Sequence, residues 1–229
     1  MKLFSIESPL FKFFDRLWDL IKLNFFWLIC SLPLVTIGAS TAAAFSITLH
    51  MADDTEGYIV KPFFKAFKEN LKKGIPMGII FLIGGYALYL LFQLAFKAEK
   101  YEGWFLAAAI ILAVLLYTGF VYSFALLARY ENGFIATIMN SYRISIRYIG
   151  RTLLLAVLIA LETGLFIWNI PLMAVGSLIA PSCIMLTISG FALKIFKELE
   201  KMPGAVTNPE MLQNDGSDEN FSIDDGDVR

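Results

Sequence analysis

Apolar residues arrive along this chain in long blocks separated by short basic stretches. Four blocks are uninterrupted: Ile75 to Phe96, Trp104 to Ala128, Thr152 to Ile170 and Leu172 to Leu193. Each holds about 19–25 residues, enough for a helix rising about 1.5 Å per residue to cross a hydrocarbon core about 30 Å thick. The links between them, KAEKYEG and then a break at Pro171, are short, so the pattern predicts two antiparallel helical hairpins. A fifth block, Leu23 to Leu49, is free of charge but carries Pro33 and Gly38 near its middle, in WLICSLPLVTIGASTAAAF. It predicts either one kinked span or two legs that turn back at Pro33 to Gly38, each of roughly ten to thirteen residues and about 15–20 Å. Legs that short do not cross, and irregular backbone is not tolerated against lipid, so the second arrangement is a re-entrant hairpin packed on other helices.

Three amphipathic basic stretches precede apolar blocks. Ser8 and Pro9 supply an N-cap and a first-turn proline for a helix over 9–22, with Phe11, Phe14, Leu17, Trp18 and Ile21 on one face and Lys12, Arg16, Asp19 and Lys22 on the other. A second helix, 62–73, opens at Pro62 and closes at Gly74 before Pro76; Phe64, Phe67 and Leu71 face lipid while Lys61, Lys65, Lys68 and Lys72 face water. A third, 134–149, follows Asn132-Gly133, and in it Ile135, Ile138, Tyr142, Ile146 and Ile149 alternate with the row Arg143, Arg147 and Arg151. The second and third share an aromatic-basic-x-x-x-basic core, a weak repeat that lipid chemistry alone also accounts for. The fold class is therefore all-α integral membrane, with about five transmembrane helices, the first broken or re-entrant, and basic interfacial helices. Residues 1–202 form a single helical domain and 203–229 an acidic tail read as disordered.

Composition agrees with the membrane class. Of 229 residues 58% are hydrophobic and 17% charged, and the mean hydropathy is +0.67, against about 45–50% and about 25% in soluble domains. The net charge of -1 hides a split, because the tail holds seven acids against one base, Arg229. Charge also bears on topology. Basic residues number four before Leu23, five in 50–74, two in 97–103, four in 129–151 and four from Lys194 onward. A single crossing of the opening block leaves at best 13 of these inside and six outside, whereas a turn-back leaves 17 inside, two outside and both termini cytoplasmic. The positive-inside rule prefers the second. Ala42-Ala43-Ala44 matches a signal-peptidase pattern, but the 22 residues before the apolar block form a capped helix rather than a short charged leader, so no cleavage is expected. Cys30 and Cys183 lie in apolar runs and read as packing thiols.

The stretch CSLPLVTIGASTAA, with FFKAFKENLKKG after it and ARYENGFIATIMNSYRISIRY later, resembles the YesL family of small multi-pass membrane proteins of Gram-positive bacteria, over roughly residues 1 to 200. That resemblance implies a role around oligosaccharide uptake, since members are commonly encoded beside carbohydrate ABC importers; it supplies no catalytic residues.

Among candidate chemical groups Glu162 is the most informative. It sits ten residues into the Thr152 to Ile170 helix, about 15 Å deep, where an ionised carboxylate costs at least ~2.5 kcal/mol. Asn169 lies seven residues on, near the same face, and Ala156, Ala160 and Gly164 make a stripe for close helix contact. Ser40, Thr41, Ser182 and Thr187 are possible hydrogen-bond partners. Such a group reads either as a substrate, proton or ion site or as a structural protonated carboxyl. His50 beside Asp53 and Asp54 is a boundary residue rather than a metal site. No Walker A, GxGxxG or HExxH pattern occurs, so no enzymatic activity, cofactor, metal or nucleic-acid partner is expected. Lys65, Lys68, Lys72, Arg143, Arg147 and Arg151 are candidates for contact with anionic headgroups or an acidic partner surface. The expected function is that of a non-enzymatic accessory protein of a carbohydrate ABC importer, touching its permease subunits and open to self-association; the alternative is a stand-alone channel or transporter with a midplane site at Glu162.

Overall fold

The computed structural model describes residues 9–55, 57–97 and 102–201. The Ser8 cap and the acidic tail lie outside them. Every described element is helical: α1 (Pro9–Ser31), a 3-10 turn (Leu34–Thr36), α2 (Ile37–Ala52), α3 (Val60–Lys97), α4 (Glu102–Arg129), α5 (Phe134–Arg147), α6 (Ile149–Ile167) and α7 (Ile170–Glu200). Five helical segments are long and apolar enough to cross a membrane, namely Leu34–Ala52, Val60–Lys97, Gly103–Arg129, Ile149–Ile167 and Gly176–Glu200. The chain is a multi-pass membrane protein.

The opening block turns back. Thr36 Oγ1 donates to the Cys30 and Pro33 carbonyls at 2.6 and 2.8 Å, closing the bend around Pro33. Beyond it Ser40 Oγ donates to the Trp27 carbonyl at 2.9 Å and Trp27 Nε1 donates to Thr41 Oγ1 at 3.1 Å. At the open end Arg16 pairs with Asp54. Residues 16 and 54 thus lie side by side, and α1 and α2 form an antiparallel hairpin. The separate interfacial helix expected over 9–22 does not end at Lys22; it continues without a break to Ser31, because nothing between Lys22 and Ser31 interrupts the helix.

The boundary expected at Gly74 is also absent. α3 is one helix of 38 residues that runs through Pro76, about 57 Å long. Gly74 is not a helix end but a packing position: a Cβ on Gly38 would lie 2.0 Å from the Gly74 carbonyl oxygen and 2.7 Å from the Gly78 nitrogen. Only glycine lets the two backbones meet there, as in small-xxx-small contacts between membrane helices. Ile59 and Pro62 lie beside Met51 and Ile47 in a shared cavity wall, so the first half of α3 returns antiparallel along α2. Past Gly78 it continues to Lys97, about 28 Å further, paired with α4 through Phe81 and Phe120, whose ring centroids lie 5.2 Å apart. The tip of the hairpin therefore stops part way along the bundle.

Twelve residues of α2 are buried, from Gly38 to Met51. Around it gather Leu23 of α1, Phe63 of α3, Val121 to Leu127 of α4 and Ile188, Ile195 and Phe196 of α7, all buried. This end of the molecule holds the core. The other end consists of the α3–α4 and α6–α7 hairpins, whose Ile83, Tyr86, Trp104, Ile110, Leu161 and Ile170 are exposed as a lipid-facing belt.

The third basic helix is built differently from its expectation. In α5 the polar residues Thr137, Asn140, Ser141 and Ser145 are buried against α4, while Ile135, Met139 and Ile146 point outward. Ser141 and Ser145 both donate to the Thr118 carbonyl, at 3.0 and 2.9 Å, and the Tyr142 hydroxyl passes over Gly119 to reach the Leu115 carbonyl at 3.1 Å. Ile135, Ile146 and Ile149 of the expected apolar face are outward, and the polar residues between them pack on α4. The helix ends at Arg147 and α6 begins at Ile149.

Candidate functional site

Glu162 projects from α6 toward α7, where Thr187 Oγ1 donates to its Oε1. Its Oε2 is buried without a hydrogen-bond partner among the described residues. Thr187 lies near the middle of the apolar segment Gly176–Glu200, so the carboxyl sits well inside the membrane layer. The residues on its face of α6 are Leu155, Ile159 and Phe166, with Phe166 packed over Gly176 of α7. The small stripe expected to make this contact does not: Ala160 and Gly164 are exposed, and a Cβ on Gly164 would meet nothing within 4 Å. On a helix the larger side chains reach the neighbour, and the small ones are left to lipid.

The other residues proposed for a polar cluster are engaged elsewhere. Asn169 lies outside α6, in the turn before α7, where Oδ1 accepts from the Leu172 nitrogen at 2.9 Å as an N-cap. Ser40 and Thr41 bind Trp27, and Thr41 also donates to the Ile37 carbonyl at 2.7 Å. Ser182 donates to the Leu20 carbonyl of α1 at 2.9 Å. Of the four possible partners, the structure brings Thr187 alone to Glu162.

One polar position missed in the sequence is Asn24, buried on α1. Its Nδ2 donates to the carbonyls of Ser177 and Leu178 on α7, at 3.2 and 2.9 Å. The reason lies four residues on: Pro181, inside α7, has no N–H for the Ser177 carbonyl. The Asn24 amide supplies the missing hydrogen across the helix interface. A lone asparagine just inside an apolar block, with a mid-block proline elsewhere, was the available signal.

At the core end several charges are paired within the chain. Arg129 and Tyr130 both donate to Glu200, at 3.0 and 2.7 Å; Arg151 makes a two-point bond to Glu198 at 2.7 and 2.9 Å; Lys197 binds Asp53. The Lys197 ammonium holds the Asp53 carboxyl below the usual carboxylate range. Arg151 is thus committed within the chain rather than presented to headgroups. On α3, by contrast, Lys61, Lys65, Lys68 and Lys72 stand exposed, and Lys65 comes within 4.0 Å of Glu69. Arg143 is half-buried and Arg147 exposed. His50 Nδ1 lies 2.6 Å from the Ser46 carbonyl of its own helix, and no cluster of three potential metal-ligating side chains occurs among the described residues. Cys30 and Cys183 are free thiols, each half-buried.

An apolar cavity of about 400 Å³ opens below the hairpin tip, lined by Trp27, Gly38, Gly78, Gly85, Phe120 and Met185 among others. Residues 20–92, which span the hairpin and most of α3, match the family model described as "Protein of unknown function, DUF624". No curated protein and no solved structure matches the chain.

Proposed function

We propose that this protein is a non-enzymatic membrane accessory subunit of a carbohydrate ABC importer, as the resemblance to the YesL family implies. The observation that supports this reading is the contrast between charges at the core end. Arg16, Arg129, Arg151 and Lys197 are held by acids of the chain itself, while the lysine row of α3 stands exposed. A solvated row of like charge suits anionic headgroups or the acidic cytoplasmic surface of a permease. In this reading the core end and both chain ends are cytoplasmic, as the distribution of 17 against two basic residues favours. The lipid-facing sides of the two hairpins would pack against permease helices. Affinity purification from native membranes tests it. The permease is expected to co-purify with the protein and to be lost when Lys65, Lys68 and Lys72 are changed together to Glu; recovery without any importer component overturns the reading.

A second reading, a channel or transporter, is favoured by the unpartnered Glu162 Oε2 inside the membrane layer. Flux into proteoliposomes that disappears in a folded Glu162→Gln protein would establish it. Unchanged flux in that variant would remove Glu162 from any such role.

A further inference from the structure

We infer that the cavity beneath the hairpin tip is a binding site for one acyl chain of a bilayer phospholipid. Its wall is formed by α1 and α2 at the tip (Trp27, Gly38, Thr41), by α3 (Gly78, Phe81, Gly85) and by α4, with Met185 of α7 closing one side. Of its three glycines only Gly85 leaves open space where a side chain would stand. Gly38 and Gly78 are glycine for backbone contact, but Gly85 is not, since a Cβ there would meet nothing within 4 Å.

The polar groups in the wall are already satisfied. Thr41 Oγ1 donates to the Ile37 carbonyl and accepts from Trp27 Nε1, and the Tyr117 hydroxyl donates to the Thr152 carbonyl at 2.9 Å. A wall with no spare donor or acceptor offers water nothing, and apolar cavities stay dry. The volume falls in the range of ligand-sized sites, about 300–1,000 Å³. The open side decides the occupant. Leu82 and Phe120, 40% and 36% exposed, belong both to the wall and to the exposed apolar belt, and Leu34 and Val35 of the tip, 68% and 54% exposed, are near neighbours in sequence of the wall residue Ile37. The cavity is thus continuous with the surface that meets lipid, and the adjoining phase there is hydrocarbon. A chain entering from that side fills a space that close packing would otherwise leave empty.

Trp27 in the wall makes the site readable. Trp18, Trp104 and Trp168 are exposed, and replacing all three by Phe leaves Trp27 as the single indole fluorophore. In vesicles of phosphatidylglycerol carrying brominated acyl chains, Trp27 emission is expected to be quenched. Gly85→Phe, which projects a ring into the cavity without meeting backbone, is expected to relieve most of that quenching. Gly164→Phe, equally unobstructed but on α6, is expected to leave it unchanged. Circular dichroism and thermal unfolding verify that each variant is folded; should Gly85→Phe not fold, Gly85→Leu takes its place. Quenching that is absent in the parent overturns the inference and points to a protein segment in the cavity. Quenching unaltered by filling at Gly85, or relieved equally by Gly164→Phe, also overturns it, because the chain would then lie outside the cavity.

Discussion

Helices α2 and α6 are two apolar segments of similar length, 16 and 19 residues, that live in different solvents. In α2 twelve residues are buried; in α6 only Thr152 and Leu155 are. One is enclosed by protein and the other by lipid, and their titratable side chains are few: His50 near the end of α2, Glu162 on α6 and Arg151 at its start. Hydropathy does not separate these cases, since both environments exclude charge. Side-chain size does. α2 reads GASTAAA where α3, α4 and α7 close around it, whereas α6 presents Leu153, Leu154, Val157, Leu161 and Leu165 to the outside. Small residues let backbones approach, and large ones fill space that lipid would otherwise occupy.

The comparison is most severely strained at Gly38. Gly38→Leu places a side chain on the Gly74 backbone, which has no rotamer to yield; overpacking of this kind costs about 1–3 kcal/mol or more, and no monodisperse protein is expected on size-exclusion chromatography. The matching change on α6, Gly164→Leu, is expected to shift stability by no more than about 0.5 kcal/mol. A Gly38→Leu protein as stable as its parent would mean that the hairpin does not sit against α3.

Asn24→Leu comes next. It strips the Ser177 carbonyl, which Pro181 cannot serve, of its donor and removes a second bond to the Leu178 carbonyl, with an expected loss on the order of 1–3 kcal/mol in thermal unfolding in detergent. Pro181→Ala in the same protein restores an N–H to the Ser177 carbonyl and should recover part of that loss; independent, additive effects would break the link between the two positions. Smaller again is Ser145→Ala, expected to cost about 1 kcal/mol, whereas Ile146→Ala on the outward face should cost little. Reversal of that order would return α5 to the water interface.

The smallest effect concerns pH. Asp53 is held below its ordinary range by Lys197, so its stabilising contribution is present above the unfolded carboxylate value, near about 3.9, and disappears as pH falls through the lower folded value. Asp53→Asn should remove that small contribution from the neutral plateau while leaving the acid end unaltered, so that the acid limb of a thermal-stability profile below about pH 4 becomes slightly shallower.

Much of the architecture was legible from charge and periodicity. The turn around Pro33 follows from counting bases, and the two long hairpins from block lengths and short links. Less legible were features that depend on contacts far apart in sequence. Gly74 before Pro76 has the local form of a helix end, yet Gly38 explains the glycine and the helix continues. The buried stripe of Thr137, Asn140, Ser141 and Ser145 was not legible, because Ser141 and Ser145 serve the Thr118 carbonyl of α4, more than twenty residues away in sequence. Glu162 was recognisable as a buried carboxyl, and Thr187 as one possible partner. Ser40, Thr41 and Asn169 were not recognisable as occupied, because each serves a backbone or ring at its own helix end.

The partners of Asn24, Asp53, Arg129, Arg151 and Glu162 all lie on α7, between Ser177 and Glu200. Synthesis proceeds from the N-terminus, so α7 leaves the ribosome after every helix that depends on it. Until then Asn24 and Glu162, which lie within apolar segments, lack their partners, and the contacts of α7 form last. Biogenesis of this protein thus has a vulnerable interval whose length is set by the time taken to translate from Asn24 to Glu200, and an insertase that shelters polar side chains would act on it throughout.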